Sequence, residues 1–168
     1  LDVNAYSFIR EHKKFDYQTS IQKSESTDLA VVPLPVGYFV NVGVNFSNEI
    51  SANIKGGLLG FPDMFGPQLG AEARYKFDNG VELIIPYVVH FNDASGGNSS
   101  GQSMNTIHLL GLGVGKNLTR VTSLELVYLK AVNSETQISW STDHLETIGA
   151  KYLNSLIKLG VRFNWSAF

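Results

Sequence analysis

From Val36 to Phe46 the side chains alternate without a break. Val36, Tyr38, Val40, Val42, Val44 and Phe46 share one face, and Gly37, Phe39, Asn41, Gly43 and Asn45 the other. Successive side chains of a strand point to opposite sides, so this stretch predicts a strand with one apolar surface. The period returns down the chain. Ile50, Ala52, Ile54 and Leu58 stand against Ser51, Asn53, Lys55 and Gly57, and Leu69, Ala71, Ala73, Tyr75 and Phe77 against Gln68, Gly70, Glu72, Arg74 and Lys76. Val81, Leu83, Ile85, Tyr87, Val89 and Phe91 oppose Glu82, Ile84, Pro86, Val88 and His90. Leu110, Leu112 and Val114 alternate with Gly111, Gly113 and Gly115, and Leu124, Leu126 and Tyr128 with Ser123 and Glu125. A last strand sets Ile157, Leu159, Val161, Phe163 and Trp165 against Lys158, Gly160, Arg162 and Asn164. A first strand, Leu1 to about Arg10, is the least regular, because Tyr6 and Phe8 fall on its polar side.

These segments predict eight strands. Short connections near residues 47–49, 78–80 and 116–120 alternate with long polar ones near 11–33, 60–67, 92–105 and 131–150. Asp78-Asn79-Gly80 reads as a three-residue hairpin turn with glycine in the left-handed position, which would set Phe77 opposite Val81 and Lys76 opposite Glu82. Pro33 and Pro35 lack the donor a ladder needs and mark the entry to the second strand.

Composition decides what the apolar faces meet. The chain has 168 residues, one domain's worth (1–168), with a net charge of -2 and hence no basic footprint for nucleic acid. Charged residues make up 17%, against about 25% in soluble domains. No run approaches the roughly 18 apolar residues of a membrane helix, but roughly 9–11 alternating residues cross a bilayer as a tilted strand. Threaded up and down, outward Phe46, Phe77, Phe163 and Trp165 gather at one end, and Tyr38, Tyr87, Phe91 and Tyr128 at the other. Two aromatic girdles around an aliphatic band are expected at the two membrane interfaces. The fold expected is all-β: a closed up-and-down antiparallel transmembrane barrel of eight strands, with short periplasmic turns, long extracellular loops and both termini periplasmic. Closure follows from physics, since an open strand edge in hydrocarbon leaves backbone groups unpaired. The chain begins already in strand-like sequence, so it is expected to be a mature, exported form.

In architecture the chain resembles the small eight-stranded bacterial outer-membrane proteins, of the outer-membrane protein A transmembrane domain and outer-membrane protein X type. The resemblance implies a bacterial outer-membrane location, with membrane lipid and lipopolysaccharide as partners. It extends to a terminal aromatic, Phe168, which in that class contributes to recognition by the barrel-assembly machinery. Phe163 and Trp165 are one step out of phase with Phe168, so either a bulge lies near Ser166-Ala167 or Phe168 is outside the strand. Barrel lipid A deacylases carry a His-x-Ser near a strand end. In His90-Phe91-Asn92 an amide stands where that serine belongs, so no enzyme is expected.

Candidate chemistry sits on the inward face. Lys55, Glu72, Arg74, Lys76, Glu82, Glu125 and Arg162 form the expected lumen charge network, with Lys76 and Glu82 paired near the periplasmic mouth. An eight-stranded barrel is only wide enough for side chains to fill it, which predicts a polar core of ion pairs and waters. The Gly111–Gly115 alternation makes room in that lumen. His12, His108 and His144 show no metal-ligand spacing and the chain has no cysteine, so no cofactor or metal is expected. The leading function is a structural or surface-interaction role, or a subunit of an envelope assembly that meets a protein partner through loops or barrel wall. A narrow channel for ions or small solutes is the alternative, and a soluble lipocalin-like binder a third.

Overall fold

Every predicted strand forms, and most run longer than their apolar period. The computed structural model describes residues 1–16, 22–61, 64–93, 104–132, 137–143 and 147–164. Its strands are β1 (Asp2–Asp16), β2 (Gln22–Asn45), β3 (Ile50–Phe61), β4 (Met64–Lys76), β5 (Val81–Asp93), β6 (Met104–Asn117), β7 (Thr122–Ala131), β8 (Gln137–Asp143) and β9 (Thr147–Phe163). Each pairs antiparallel with its neighbour, and β1 closes on β9 from Asp2↔Arg162 to Asp16↔Thr147. The barrel has eight staves rather than nine, because β8 continues β7 along the same strand. Thr122 to Lys130 pair with Phe163 to Ser155, and Gln137 to Asp143 with Tyr152 to Thr147.

One end of the barrel is closed by tight turns. Ser47 Oγ accepts the Glu49 and Ile50 amides at 3.1 and 3.0 Å, Asn79 Oδ1 accepts the Val81 amide at 3.0 Å, and Thr119 Oγ1 accepts the Val121 amide at 3.1 Å. Gly80 sits at φ 75°, the left-handed conformation the hairpin required. Lys76 stands opposite Glu82 in the ladder, as predicted.

The other end departs from the expected loops. Much of 11–33 and 131–150 is strand: β1 runs to Asp16, β2 starts at Gln22, and β8 lies inside the second stretch. β2 pairs with β3 only from Gly37 to Asn45, yet continues along β1 to Gln22. The upper parts of β2, β1, β9 and β8 therefore make a four-stranded wall standing above the rest of the rim. Sequence alone underestimated it because polar, two-sided strands carry no apolar period. Pro33 and Pro35 lie within β2, not at its start. Asn4 pairs with Gly37 and Tyr6 with Val32, so residues 33–36 bulge out of the ladder opposite Ala5. A bulge is where a strand tolerates residues that cannot donate.

The faces sort as the alternation implied, with the large apolar residues turned outward. Among the described residues, 27 large apolar side chains are exposed and 12 are buried. Phe46, Phe77 and Phe163 stand outward at the turn end, Tyr38, Tyr87 and Tyr128 outward at the other, and Phe91 is half-buried. Trp165 and Phe168, with the bulge expected near Ser166, lie outside the described residues.

Candidate functional site: the barrel lumen

At the turn end most inward side chains are charged or amide, with Ile84 buried opposite Arg74. Glu72 on β4 is buried and accepts from Lys55 on β3 at 3.0 Å and from Arg74 Nε at 2.7 Å, and Arg162 on β9 also bonds it. Arg74 continues to Glu82 at 2.8 Å and to Glu125 at 2.5 Å. Glu125 on β7 also takes Lys158 at 2.9 Å and Arg162 at 3.2 Å, and Arg162 reaches Asp2 at 3.1 Å. Amides take up remaining lone pairs: Asn41 donates to Asp2 at 2.7 Å, Asn53 to Glu72 at 3.3 Å and Asn117 to Glu82 at 3.1 Å. Four cations (Lys55, Arg74, Lys158, Arg162) face four carboxylates (Asp2, Glu72, Glu82, Glu125), so the layer is neutral. Burying charge is costly, and only pairing with further hydrogen bonds offsets the cost.

Six of the seven predicted lumen charges meet here. Lys76 does not. It faces Glu82 across the ladder but is exposed at the mouth and makes no ion pair among the described residues, because the Glu82 carboxylate is engaged by Arg74 and Asn117. Asp2 and Lys158 were missed as members, although both lie on the inward face of their strands. Strand pairs distant in sequence recruit them: Asp2 faces Arg162 in the β1–β9 ladder, and Lys158 lies diagonally from Glu125 on β7 and β9.

Further from the turns the lining changes character. Phe8, Leu59, Ile107, Leu109, Leu129 and Leu156 fill the lumen with at most 4% exposure, joined by Tyr6, Phe39, Val88, Val127 and Leu153. The expected polar core thus occupies only half the barrel. Tyr6 and Phe8, irregular in the sequence, are inward because this layer needs them, and their rings stack at 6.0 Å. The β6 glycines make the room expected of them: a Cβ on Gly111 would lie 2.7 Å from Leu129 Cδ2, and one on Gly113 2.6 Å from Val127 Cγ2. His90 is buried and inward in this layer. His108 faces outward and bonds Tyr87 Oη through Nδ1 at 2.5 Å. The side chain of His12 and all of His144 lie outside the described residues.

Together these features make an antiparallel barrel of eight staves, apolar outside and packed within. Closed antiparallel staves, eight in number, are the architecture the alternation predicts. No protein-family profile matches the sequence, and no curated protein does. Among solved structures it is similar to Neisserial surface protein A (15% identity over 98% of this chain and 96% of that one, TM-score 0.41). It is similar too to the N-terminal β-barrel domain of Pseudomonas aeruginosa OprF (12%, 95% and 99%, TM-score 0.42) and to the attachment invasion locus protein Ail of Yersinia pestis (12%, 96% and 97%, TM-score 0.34).

Proposed function

We propose that this protein is a non-conducting outer-membrane barrel whose role is structural and interactive, with its tight turns and both termini in the periplasm and its four-stranded wall outside the cell. The observation that carries the reading is the filled lumen: among the described residues, a neutral, paired charge layer lies beneath a packed apolar layer. The outer belt fits a bilayer. At about 3.3 Å per residue and a tilt of about 40°, the eight steps from Tyr38 to Phe46 rise roughly 20 Å, near the roughly 25 Å band of membrane barrels. A soluble lipocalin-like binder would want water-compatible walls around an apolar cavity, and exposed Val40, Val42, Ile54 and Leu112 are the opposite of such a wall.

The role is non-enzymatic. Membrane lipid and lipopolysaccharide are the proposed partners of the belt, and a protein partner of the projecting wall. The wall offers that partner one long strand, since β2 between Gln22 and Val32 pairs on one side only among the described residues. Planar-bilayer recording tests the reading, with vesicle flotation as the control for insertion. Insertion without conductance is the expected result. Discrete, reproducible current steps from the unmodified protein would replace it with the narrow-channel reading.

A further inference from the structure

The two layers of the lumen differ in how they treat water. Among the described residues, three buried side-chain oxygens have no hydrogen-bond donor: Asn4 Oδ1, Asn41 Oδ1 and Ser123 Oγ. All three belong to the charged layer. Asn41 donates its amide to Asp2, Asn4 follows Asp2 on the inward face of β1, and Ser123 stands opposite Arg162 in the ladder. Buried polar atoms without a protein partner ordinarily hold water. A cavity of about 10 Å³ lies at the boundary between the layers, with Asn4, Tyr6, Lys55 and Lys158 among its polar walls and Phe39 and Leu156 among its apolar ones. That is room for one water, and the unpartnered Asn4 oxygen is among the atoms it would satisfy.

Among the ion-paired groups of the charged layer, exposure is highest at Glu82, the carboxylate nearest a turn, at 15% of its side chain. Beyond the boundary cavity Phe8, Leu59, Ile107, Leu109 and Leu153 are each at most 1% exposed. Among the described residues, Gln68, Ser155 and His90 are the buried polar residues at that level, too few to line a water path across it.

Resting on the closed-barrel reading, we infer that water enters the charged layer from the turn end and stops at the apolar layer, so that the apolar layer, not the ion pairs, is the barrier to ions. The charged layer is a blind, hydrated vestibule. An ion that reached Glu72 would keep polar company throughout, whereas its next step would strip its hydration against leucine and phenylalanine. Removing a balanced ion pair then widens the vestibule without opening the barrel.

Two measurements test this. In planar bilayers the Glu125→Gln/Lys158→Gln protein, neutral as before, stays as silent as the unmodified protein, while Phe8→Ser/Leu129→Ser conducts. Conductance from the Gln pair over a silent unmodified protein overturns the inference. Conductance from the unmodified protein itself overturns instead the closed-barrel reading beneath it. The second measurement uses the absence of cysteine from the chain. Single cysteines are placed by Ser123→Cys and Leu109→Cys in the folded protein, and their reaction with silver ion, a cation of about the size of water, is timed. Position 123 is expected to react at least about 100-fold faster than position 109. Equal rates, fast or slow, overturn the proposal, and this readout decides alone if the serine pair does not fold.

Discussion

The two halves of the lumen reach the same closure by different physics. Near the turns, Glu72 and Glu125 are each held by three cations, and every member depends on the others, because a charge that loses its partner there is too deeply buried to be fully resolvated. Toward the wall, Phe8, Leu109 and Leu129 fill space, and losing one leaves a hole rather than a stranded charge. The charged half is therefore brittle and specific, and the apolar half graded and tolerant.

Single substitutions separate the two behaviours. The largest effect is expected from Glu72→Ala, which strands Lys55, Arg74 and Arg162 together. A loss on the order of 3–5 kcal/mol should appear in reversible urea unfolding from lipid vesicles. A cost under about 1 kcal/mol would mean the layer is solvated like a surface. Leu129→Ala comes next at about 2–4 kcal/mol by the same titration, and a negligible cost would show that the apolar layer is loosely packed. The comparison sharpens with a double-mutant cycle on Glu125 and Lys158. Each single glutamine change should cost more than its share of the double, with a coupling of about 1–3 kcal/mol, and strict additivity would break the picture of an interdependent network. Smallest of all, Lys76→Gln at the exposed mouth should shift stability by less than about 0.5 kcal/mol. A larger loss would restore the Lys76–Glu82 pair that the ladder register suggests.

Much of this was legible from alternation, and the misses share a cause. Val40, Val42 and Val44 announce an outward apolar face by spacing alone, because a strand's side-chain direction is a property of its own backbone. The Asp78–Gly80 turn, and with it the Phe77–Val81 and Lys76–Glu82 register, was equally local. Tyr6 and Phe8 looked like exceptions on a polar face. They are ordinary members of an apolar layer that no single strand displays, since β1, β6, β7 and β9 each contribute only one to three of its residues. The strands hidden in 11–33 and 131–150 escaped because neither face of them is uniformly apolar.

Sequence by itself determined the alternating cores of the eight strands, their two faces, the tight turns and the outward belt, all of which depend on residues within a few positions of one another. Only the tertiary structure decided which inward charges are partners. Arg74 meets Glu125 across 51 residues and Arg162 meets Asp2 across 160. Arg162 meets Asp2 because closure makes β9 and β1 neighbours, and Arg74 meets Glu125 because it sets β4 and β7 on facing walls of one narrow lumen; no periodicity along a strand encodes either.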